Sequence, residues 1–219
     1  MGLIPPSPEF RAELRRLTRH HGTLLIYDEV MTGFRLAYGG AQELLGDEPD
    51  MTALGKIIGG GYPLAAFGGR RDLMAIFDAR RPGAVSHGGT FNGNPVAAAA
   101  GLATLRELTP DAYERLDALG ERLLRRVTNA IEREHLDARV AVVGSLFQVW
   151  AGEPAAAFAT GVDGGPTLFL GLLLEGFHLA PRGMGSIPLI ATEADVDDLA
   201  RAIGRALVAM QRVPEAAGA

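Results

Sequence analysis

Lys56 is the only lysine among the 21 basic residues of this 219-residue chain, and the other 20 are arginines. Surface charge comes from either residue type, but a neutral nucleophilic amine comes only from lysine, because guanidinium stays protonated. The glycines at positions 55 and 59–61 allow close backbone approach around Lys56. Lys56 is therefore a candidate nucleophile. The alternative is a surface lysine that chance has left in an arginine-biased chain.

Asp28 and the turn Gly88-Gly89-Thr90 offer two further kinds of chemistry. Asp28 follows the apolar run TLLIY (23–27), and ligands bind at the carboxyl ends of strands in open α/β sheets. An isolated buried carboxylate tends to protonate there, whereas a cationic partner keeps it ionised. The turn combines backbone N–H groups with a hydroxyl, which suits a phosphate. Taken singly, each also fits a structural aspartate or an ordinary turn.

Together these groups match what pyridoxal phosphate (PLP) requires of a protein. The cofactor needs an amine that forms a Schiff base and shuttles a proton, a carboxylate facing the pyridine nitrogen, phosphate donors and apolar ring contacts. Lys56, Asp28 and residues 88–90 supply the first three. The sequence therefore predicts a PLP site and no metal site.

The elements that position these residues alternate between strands and helices up to residue 108. TLLIY is typical of a strand buried on both faces, as in a parallel sheet. Residues 31–50 are predicted as loop. A strand is predicted at 64–67, a short helix at 71–77, and a helix at 96–108 that Asn94 caps. A first helix is capped by Ser7. Residues 1–108 are thus predicted as an α/β domain.

From residue 109 the pattern indicates a smaller α+β domain, residues 109–219. Thr192 and Asp195 predict a capping box for the last helix, and residues beyond 212 are expected to fray. The other predicted elements are an amphipathic helix at 111–135, a strand at 139–150 broken at Gly144, a helix at 167–175, and strands at 178–181 and 187–190.

Composition excludes several classes of function. The net charge of −5 and pI near 5.6 argue against nucleic-acid or anionic-membrane binding. The absence of cysteine excludes disulfides and thiolate metal sites. No signal-peptide pattern begins the chain, and the longest apolar stretch, 166–174, is too short to span a bilayer. We therefore expect a cytoplasmic protein.

Three stretches resemble one known family: LLIYDEVMTGFR (24–35), PDMTALGKIIGGGYPLAAFGGR (49–70) and GGTFNGNPVAAAAGLATL (88–105). They are similar to class III, fold type I PLP-dependent aminotransferases, above all the glutamate-1-semialdehyde aminomutase branch. EGFHLAPRG (175–183) and IPLIATEADVDDL (187–199) resemble the family's C-terminal domain more loosely. The resemblance implies an α/β fold consisting of part of the large domain followed by the small domain.

The resemblance also implies a role for each site residue. Asp28 would pair with the pyridine nitrogen, Val30 would pack on one ring face, and Lys56 would be the Schiff-base lysine. Gly89 and Thr90 would reach the PLP phosphate of the neighbouring subunit, so the active site would require a homodimer.

Two departures from the family pattern qualify these expectations. The chain matches only the C-terminal half of family members, so TLLIY is expected to lie at an exposed sheet edge. The chain is accordingly a truncation, one subunit that needs a complementary N-terminal half, or a stand-alone protein, and alone it is expected to bind PLP poorly. The loop 182–186 is short and lacks an acid for the substrate amine. Arg182 is either a ligand for a substrate carboxylate or a solvated loop arginine.

The leading functional hypothesis is PLP-dependent transfer of an amino group between an amino acid or amine and an oxo acid or aldehyde. The second hypothesis is the intramolecular amino exchange of the aminomutases, which needs no separate acceptor. The third is a non-catalytic fragment, or one subunit of a split enzyme, that only dimerises or binds a partner chain.

Overall fold

A computed structural model describes residues 2–152 and 165–212 of the chain. The chain divides into two compact units. The first is Pro5–Pro110, and the second joins the described residues of Met1–Ile4 and Asp111–Ala219. Among the described residues no helix is both long and apolar enough to cross a membrane.

The Pro5–Pro110 unit is built on a three-stranded sheet of order β1-β2-β3. Strand β1 pairs with β2 in parallel, and β2 pairs with β3 in antiparallel fashion. The elements in chain order are α1 (Pro8–His20), β1 (Ile26–Asp28), α2 (Gly40–Leu45), β2 (Met51–Leu54), a 3-10 turn (Lys56–Gly59), β3 (Ala66–Gly69), α3 (Arg71–Met74), a second 3-10 turn (Ala75–Phe77) and α4 (Pro95–Glu107).

The predicted caps of α1 and α4 are confirmed. The Ser7 hydroxyl accepts the Phe10 N–H at 3.2 Å, and the Asn94 side chain accepts the N–H groups of Val96 and Ala97 at 3.0 and 3.1 Å. Each cap satisfies donors that the first helical turn leaves without partners.

Strand β1 lies at an edge of the sheet, as expected from the half-length match. The expectation that it is buried on both faces is wrong, because side chains of this segment are exposed. Leu24 is 43% exposed and Ile26 is 56% exposed. Residues 31–50 are not all loop, since α2 lies within them, and β2 had no sequence prediction.

The second unit packs helices against an antiparallel sheet of order β4-β5-β6. Its core contains side chains with no exposed surface on both α5 and the last helix, such as Leu123, Val127 and Ile203. The elements are α5 (Pro110–Arg133), β4 (Ala138–Val143), β5 (Leu146–Ala151), α6 (Gly165–Leu174), β6 (Met184–Ser186) and α7 (Glu193–Arg212).

Two strand predictions in this unit are wrong. Residues 178–181 and 187–190 are not strands, and the strand is β6 between them, which pairs Ser186 with Leu146 of β5. The break at Gly144 is a two-residue turn, at which Gly144 has a φ of 55°. The capping box at the start of α7 is confirmed, because the backbone N–H of Thr192 donates to Asp195 and that of Asp195 to the Thr192 hydroxyl. The predicted frayed tail lies outside the described residues.

Candidate active site

The parallel pairing of β1 and β2 places Asp28 and Lys56 at the same edge of the sheet. Asp28, the last residue of β1, is the register partner of Ala53, and Lys56 follows Ala53 by three residues. The Glu29 N–H donates to the Ala53 carbonyl at 2.9 Å, which continues the pairing past the end of β1. The carboxyl ends of neighbouring parallel strands form the usual ligand-binding edge of an α/β sheet.

The backbone of Lys56 adopts a left-handed conformation, with a φ of 49°. This conformation costs a non-glycine residue about 1–2 kcal/mol, and such residues are concentrated at functional sites. Gly55, just before it, is fully extended with φ −165° and ψ −159°. The sharp change of direction lifts Lys56 out of the strand and leaves it exposed, while Ile58 and Gly59 behind it are buried.

The turn that carries Lys56 is supported from behind by α4. A side chain at Gly101 of α4 would collide with the carbonyl oxygen of Ile58, and one at Gly60 would collide with the carbonyl of Ala100. Glycine at both positions therefore permits backbone-to-backbone packing of the helix against the turn.

Asp28 lies exposed at the end of β1, and its carboxylate accepts the Val30 N–H at 3.0 Å. The expectation of a buried carboxylate is wrong for this chain, because β1 is an edge strand. The exposed carboxylate is accessible to a cationic partner. It does not need such a partner to offset a cost of burial.

Val30 forms an apolar wall next to Lys56. A β-carbon added at Gly55 would lie 3.3 Å from Val30 Cγ1. Val30 therefore packs its methyl groups against Gly55, the residue that precedes Lys56.

Glu29 is a site neighbour that the sequence analysis did not assign a role. Its carboxylate is fully buried and accepts hydrogen bonds from the Thr32 hydroxyl and from the N–H groups of Ala41 and Gln42. A glutamate beside an apolar strand, with a threonine three residues later, was the only sequence feature that pointed to it.

Gly89 and Thr90 lie in the exposed loop that precedes α4. A turn forms there, in which the Asn92 N–H donates to the Gly89 carbonyl at 2.9 Å. The His87 ring anchors the loop, because it meets the rings of Phe67 and Phe77 edge-on, with centroids 5.0 and 5.9 Å away. None of the described contacts joins Gly89 or Thr90 to Lys56.

Arg182 belongs to the second unit, where it is exposed on a tight turn. The Gly183 N–H closes the turn onto the Ala180 carbonyl at 2.8 Å. The turn is held to β5 because the Gln148 side-chain amide donates to the Arg182 carbonyl and the Val149 N–H donates to the Gly183 carbonyl. The backbone of Arg182 is therefore fixed while its guanidinium faces solvent.

The opposite end of β2 carries a charged cluster that is structural. Asp50 is 3% exposed and accepts hydrogen bonds from Arg15, Arg70 and the Leu25 N–H. Arg15, the Leu25 N–H and Arg70 hold the pKa of Asp50 well below its usual range. The cluster connects α1 with the residue just before β1 and the residue just after β3. It lies at the end of β2 opposite to the end that leads to Lys56.

The second unit also contains an apolar cavity of about 350 Å³, lined by residues such as Phe147, Phe177 and Leu179. None of the predicted site residues lines it. Within the described part of the chain, no group of acidic and histidine side chains is arranged to hold a metal ion. Of the predicted site residues, Asp28 and Lys56 are the two that the structure places at the carboxyl ends of paired strands.

Comparison with known proteins agrees on one family. A family model described as aminotransferase class-III matches residues 1–207. Glutamate-1-semialdehyde 2,1-aminomutase 2 from Brevibacillus brevis is 40% identical over 218 residues, which cover 97% of this chain and 50% of the relative. The chain thus spans about half the length of such relatives.

Solved structures give the same answer for the fold. An omega-transaminase from Sphaerobacter thermophilus superposes with a TM-score of 0.87 at 37% identity, covering 94% of this chain and 49% of that one. A glutamate-1-semialdehyde aminomutase from Pseudomonas aeruginosa PAO1, in complex with PMP, superposes with a TM-score of 0.78 at 31% identity over 94% and 49%. The expected α/β fold of fold type I is confirmed, and the chain belongs to the class III aminotransferase family.

Proposed function

We propose that this chain carries the lysine-bearing part of a PLP-dependent aminotransferase. The reaction is transfer of an amino group between an amino acid or amine and an oxo acid or aldehyde. The observation that carries the proposal is the placement of Lys56 and Asp28 at the carboxyl ends of two paired parallel strands. The family match over residues 1–207 supports it.

The residues at this edge fit pyridoxal phosphate. Lys56 offers an exposed amine, Asp28 offers an exposed carboxylate for a pyridinium nitrogen, and Val30 offers methyl groups that pack against Gly55, the residue before the lysine. When bound, the cofactor supplies an electron sink that eases removal of a proton from the carbon that bears the amine. Two solved relatives hold this cofactor or its amine form: a transaminase with PLP bound, and the Pseudomonas aeruginosa aminomutase in complex with PMP.

In this proposal each residue has one task. The Lys56 Nζ amine would hold the cofactor, and it would take and return the proton at the substrate Cα. The Asp28 carboxylate keeps a proton on the ring nitrogen. Val30 orients the ring. Arg182, whose backbone the turn fixes, holds a substrate carboxylate with its exposed guanidinium.

Gly89 and Thr90 are proposed to bind the phosphate held by a second copy of the chain. Their exposure, and the anchored loop that presents them, support this role. The proposed domain assignment follows the same logic. Residues 1–108 form the C-terminal part of the large cofactor-binding domain, and residues 109–219 form the small domain.

The site is proposed to be complete only with a partner, either a second copy or a complementary N-terminal half. The exposed edge of β1 and the exposed side chains on α4 support this, since Leu102 is 51% exposed and Val96 is 55% exposed. A helix that is apolar on all sides is normally covered. We therefore expect the chain alone to bind pyridoxal phosphate weakly.

The test is a pyridoxal phosphate titration of the chain, alone and with an N-terminal half supplied by a relative. Borohydride reduction followed by peptide mass spectrometry locates the attachment. We expect one adduct on Lys56, weak alone and strong with the added half, and none in Lys56→Ala. Full amine-transfer turnover in Lys56→Ala would overturn the assignment. No adduct in either setting would favour a non-catalytic fragment.

The aminomutase reaction is the second candidate because sequence relatives that are 40% and 52% identical to this chain carry that name. Overall shape does not separate the two reactions, since omega-transaminase structures give TM-scores of 0.87 and 0.77 and the aminomutase gives 0.78. The short loop 182–186, which lacks an acid for the substrate amine, favours the aminotransferase. Product formation from glutamate-1-semialdehyde without a separate acceptor would decide for the aminomutase.

A further inference from the structure

Glu29 is a fully buried carboxylate beside the proposed site, and the proposed function gives it no task. Its Oε2 atom accepts the Ala41 N–H at 2.9 Å and also the Thr32 hydroxyl, while its Oε1 atom accepts the Gln42 N–H at 2.7 Å. Burying an ionised carboxylate is costly unless donors replace its water. Three donors replace it here, so the arrangement is built around the charge.

These hydrogen bonds close the segment 29–42 into one unit. The donors come from Thr32, three residues away, and from the beginning of α2, twelve and thirteen residues away. Gly40 completes the fit, because its φ is 79° and an added β-carbon would lie 2.6 Å from Glu29 Oε2. Glycine is required there both by the backbone and by the carboxylate.

The closed segment packs against the strand that leads to Lys56. A β-carbon at Gly33 would lie 2.7 Å from Leu54 Cδ2, and one at Gly55 would lie 3.3 Å from Val30 Cγ1. The Glu29 N–H also donates to the Ala53 carbonyl at 2.9 Å. The closed segment thus contacts the chain at positions 53, 54 and 55, the three that immediately precede Lys56.

We propose that Glu29 is a positioning residue for the proposed amine transfer. Its carboxylate holds Asp28 and Val30 in register with Gly55 and Lys56, so that the acid, the apolar wall and the amine keep fixed separations. This role rests on the proposed function, because amine transfer is the reaction for which the residues are positioned. Its structural part, that the Glu29 carboxylate holds residues 55–58 in place, can be measured without cofactor.

The structure provides two matched controls in the same unit. Asp50 is also a buried carboxylate with three partners, but it lies at the other end of β2, so Asp50→Asn removes a comparable charge without touching the Lys56 edge. Glu43 lies on α2 and is exposed, and it accepts the Gly39 N–H at 2.6 Å. Glu43→Gln therefore makes the same chemical change on the same segment without burial.

The first measurement is amide hydrogen exchange on the full chain without cofactor. In Glu29→Gln we expect about tenfold faster exchange at Ala41 and Gln42 and also across residues 55–58. Glu43→Gln is expected to leave both regions unchanged, and Asp50→Asn is expected to leave residues 55–58 unchanged. Unchanged exchange at 55–58 in Glu29→Gln, or an equal rise in Asp50→Asn, would overturn the proposal.

The second measurement is pyridoxal phosphate affinity, scored by borohydride trapping on Lys56 in the setting in which the wild type attaches cofactor. We expect Glu29→Gln to weaken affinity about tenfold or more, since small misplacements of site groups have effects of this size. Asp50→Asn and Glu43→Gln are expected to stay within about twofold of the wild type. Equal losses in Glu29→Gln and Asp50→Asn would mean that Glu29 acts through stability alone. A wild type that never traps cofactor contradicts the proposed function, and exchange at 55–58 then decides the role of Glu29 by itself.

Discussion

Gly101 of α4 lies against the backbone carbonyl of Ile58, so closely that any side chain at position 101 would collide with that oxygen. Glycine inside a helix costs about 1 kcal/mol relative to alanine. Here the cost is offset by packing, because the helix backbone comes into direct contact with the turn that begins at Lys56. The relationship makes α4 the rear support of the proposed site.

Replacing Gly101 with valine should therefore push α4 away from the Lys56 turn. We expect the free energy of unfolding to fall by about 2 kcal/mol, the usual size of an overpacking penalty. Urea denaturation of the chain measures it. Ala103→Val on the exposed side of the same helix is the control, and equal losses in the two variants would contradict the packing argument.

Tyr27 should titrate at unusually high pH. Burial, together with the hydrogen bond from its hydroxyl to Asp47 at 2.7 Å, raises the pKa of Tyr27 to about 12. Because this pKa is raised above the unfolded value of about 10, the contribution to stability is complete below pH 10 and is lost as pH rises through 12. Tyr27→Phe should cost about 1 kcal/mol at neutral pH. In an ultraviolet titration, the tyrosine ionisation near pH 12 should be absent from Tyr27→Phe and present in Tyr62→Phe.

Asp50 should contribute to acid denaturation in the opposite sense. Arg15, the Leu25 N–H and Arg70 lower its folded pKa, so its stabilisation is complete above the unfolded value of about 4 and is lost as pH falls toward the folded value. We expect Asp50→Asn to lose about 2 kcal/mol at pH 7, less than a fully buried pair because both arginines reach water. Its stability should then fall less steeply than that of the wild type below pH 4. Parallel acid limbs in the two proteins would refute this assignment.

The uncovered edge of β1 should make the isolated chain self-associate, because unpaired strand edges with apolar side chains pair with other strands. Ile26→Glu should reduce this association, measured as weight-average mass against concentration in the ultracentrifuge. Ile190→Glu is the matched control, since Ile190 is 88% exposed but lies in the other unit. Association that persists in Ile26→Glu and disappears in Ile190→Glu would place the contact elsewhere.

The sequence predicted the elements that carry their own local instructions. Ser7, Asn94 and Thr192 mark helix starts with side chains that satisfy nearby N–H groups, and all three starts are confirmed. The parallel placement of β1 and the edge position also followed from the apolar run and the half-length match. The caps succeed because each is decided within a few residues, whereas the edge position of β1 came from the length of the match.

What the sequence could not supply depends on contacts between distant residues. Helix α2 was missed because its first turn is held by the carboxylate of Glu29, more than ten residues earlier. Strand β6 was misplaced to the apolar segments on either side, because Met184–Ser186 is chosen by pairing with β5 and not by its own composition. The exposure of Asp28 likewise depends on what covers β1, which its own sequence does not encode.

Lys56 is exposed and has a left-handed backbone at the start of a 3-10 turn, so proteolysis at this residue can report on the state of the site. A lysine-specific protease has a single bond to cut, after Lys56, and would release two fragments of 56 and 163 residues from the 219-residue chain. The extent of that one cleavage, visible as two bands on a gel, measures how freely the turn opens. It would record the arrival of any occupant or partner at this edge without a chromophore or a turnover assay.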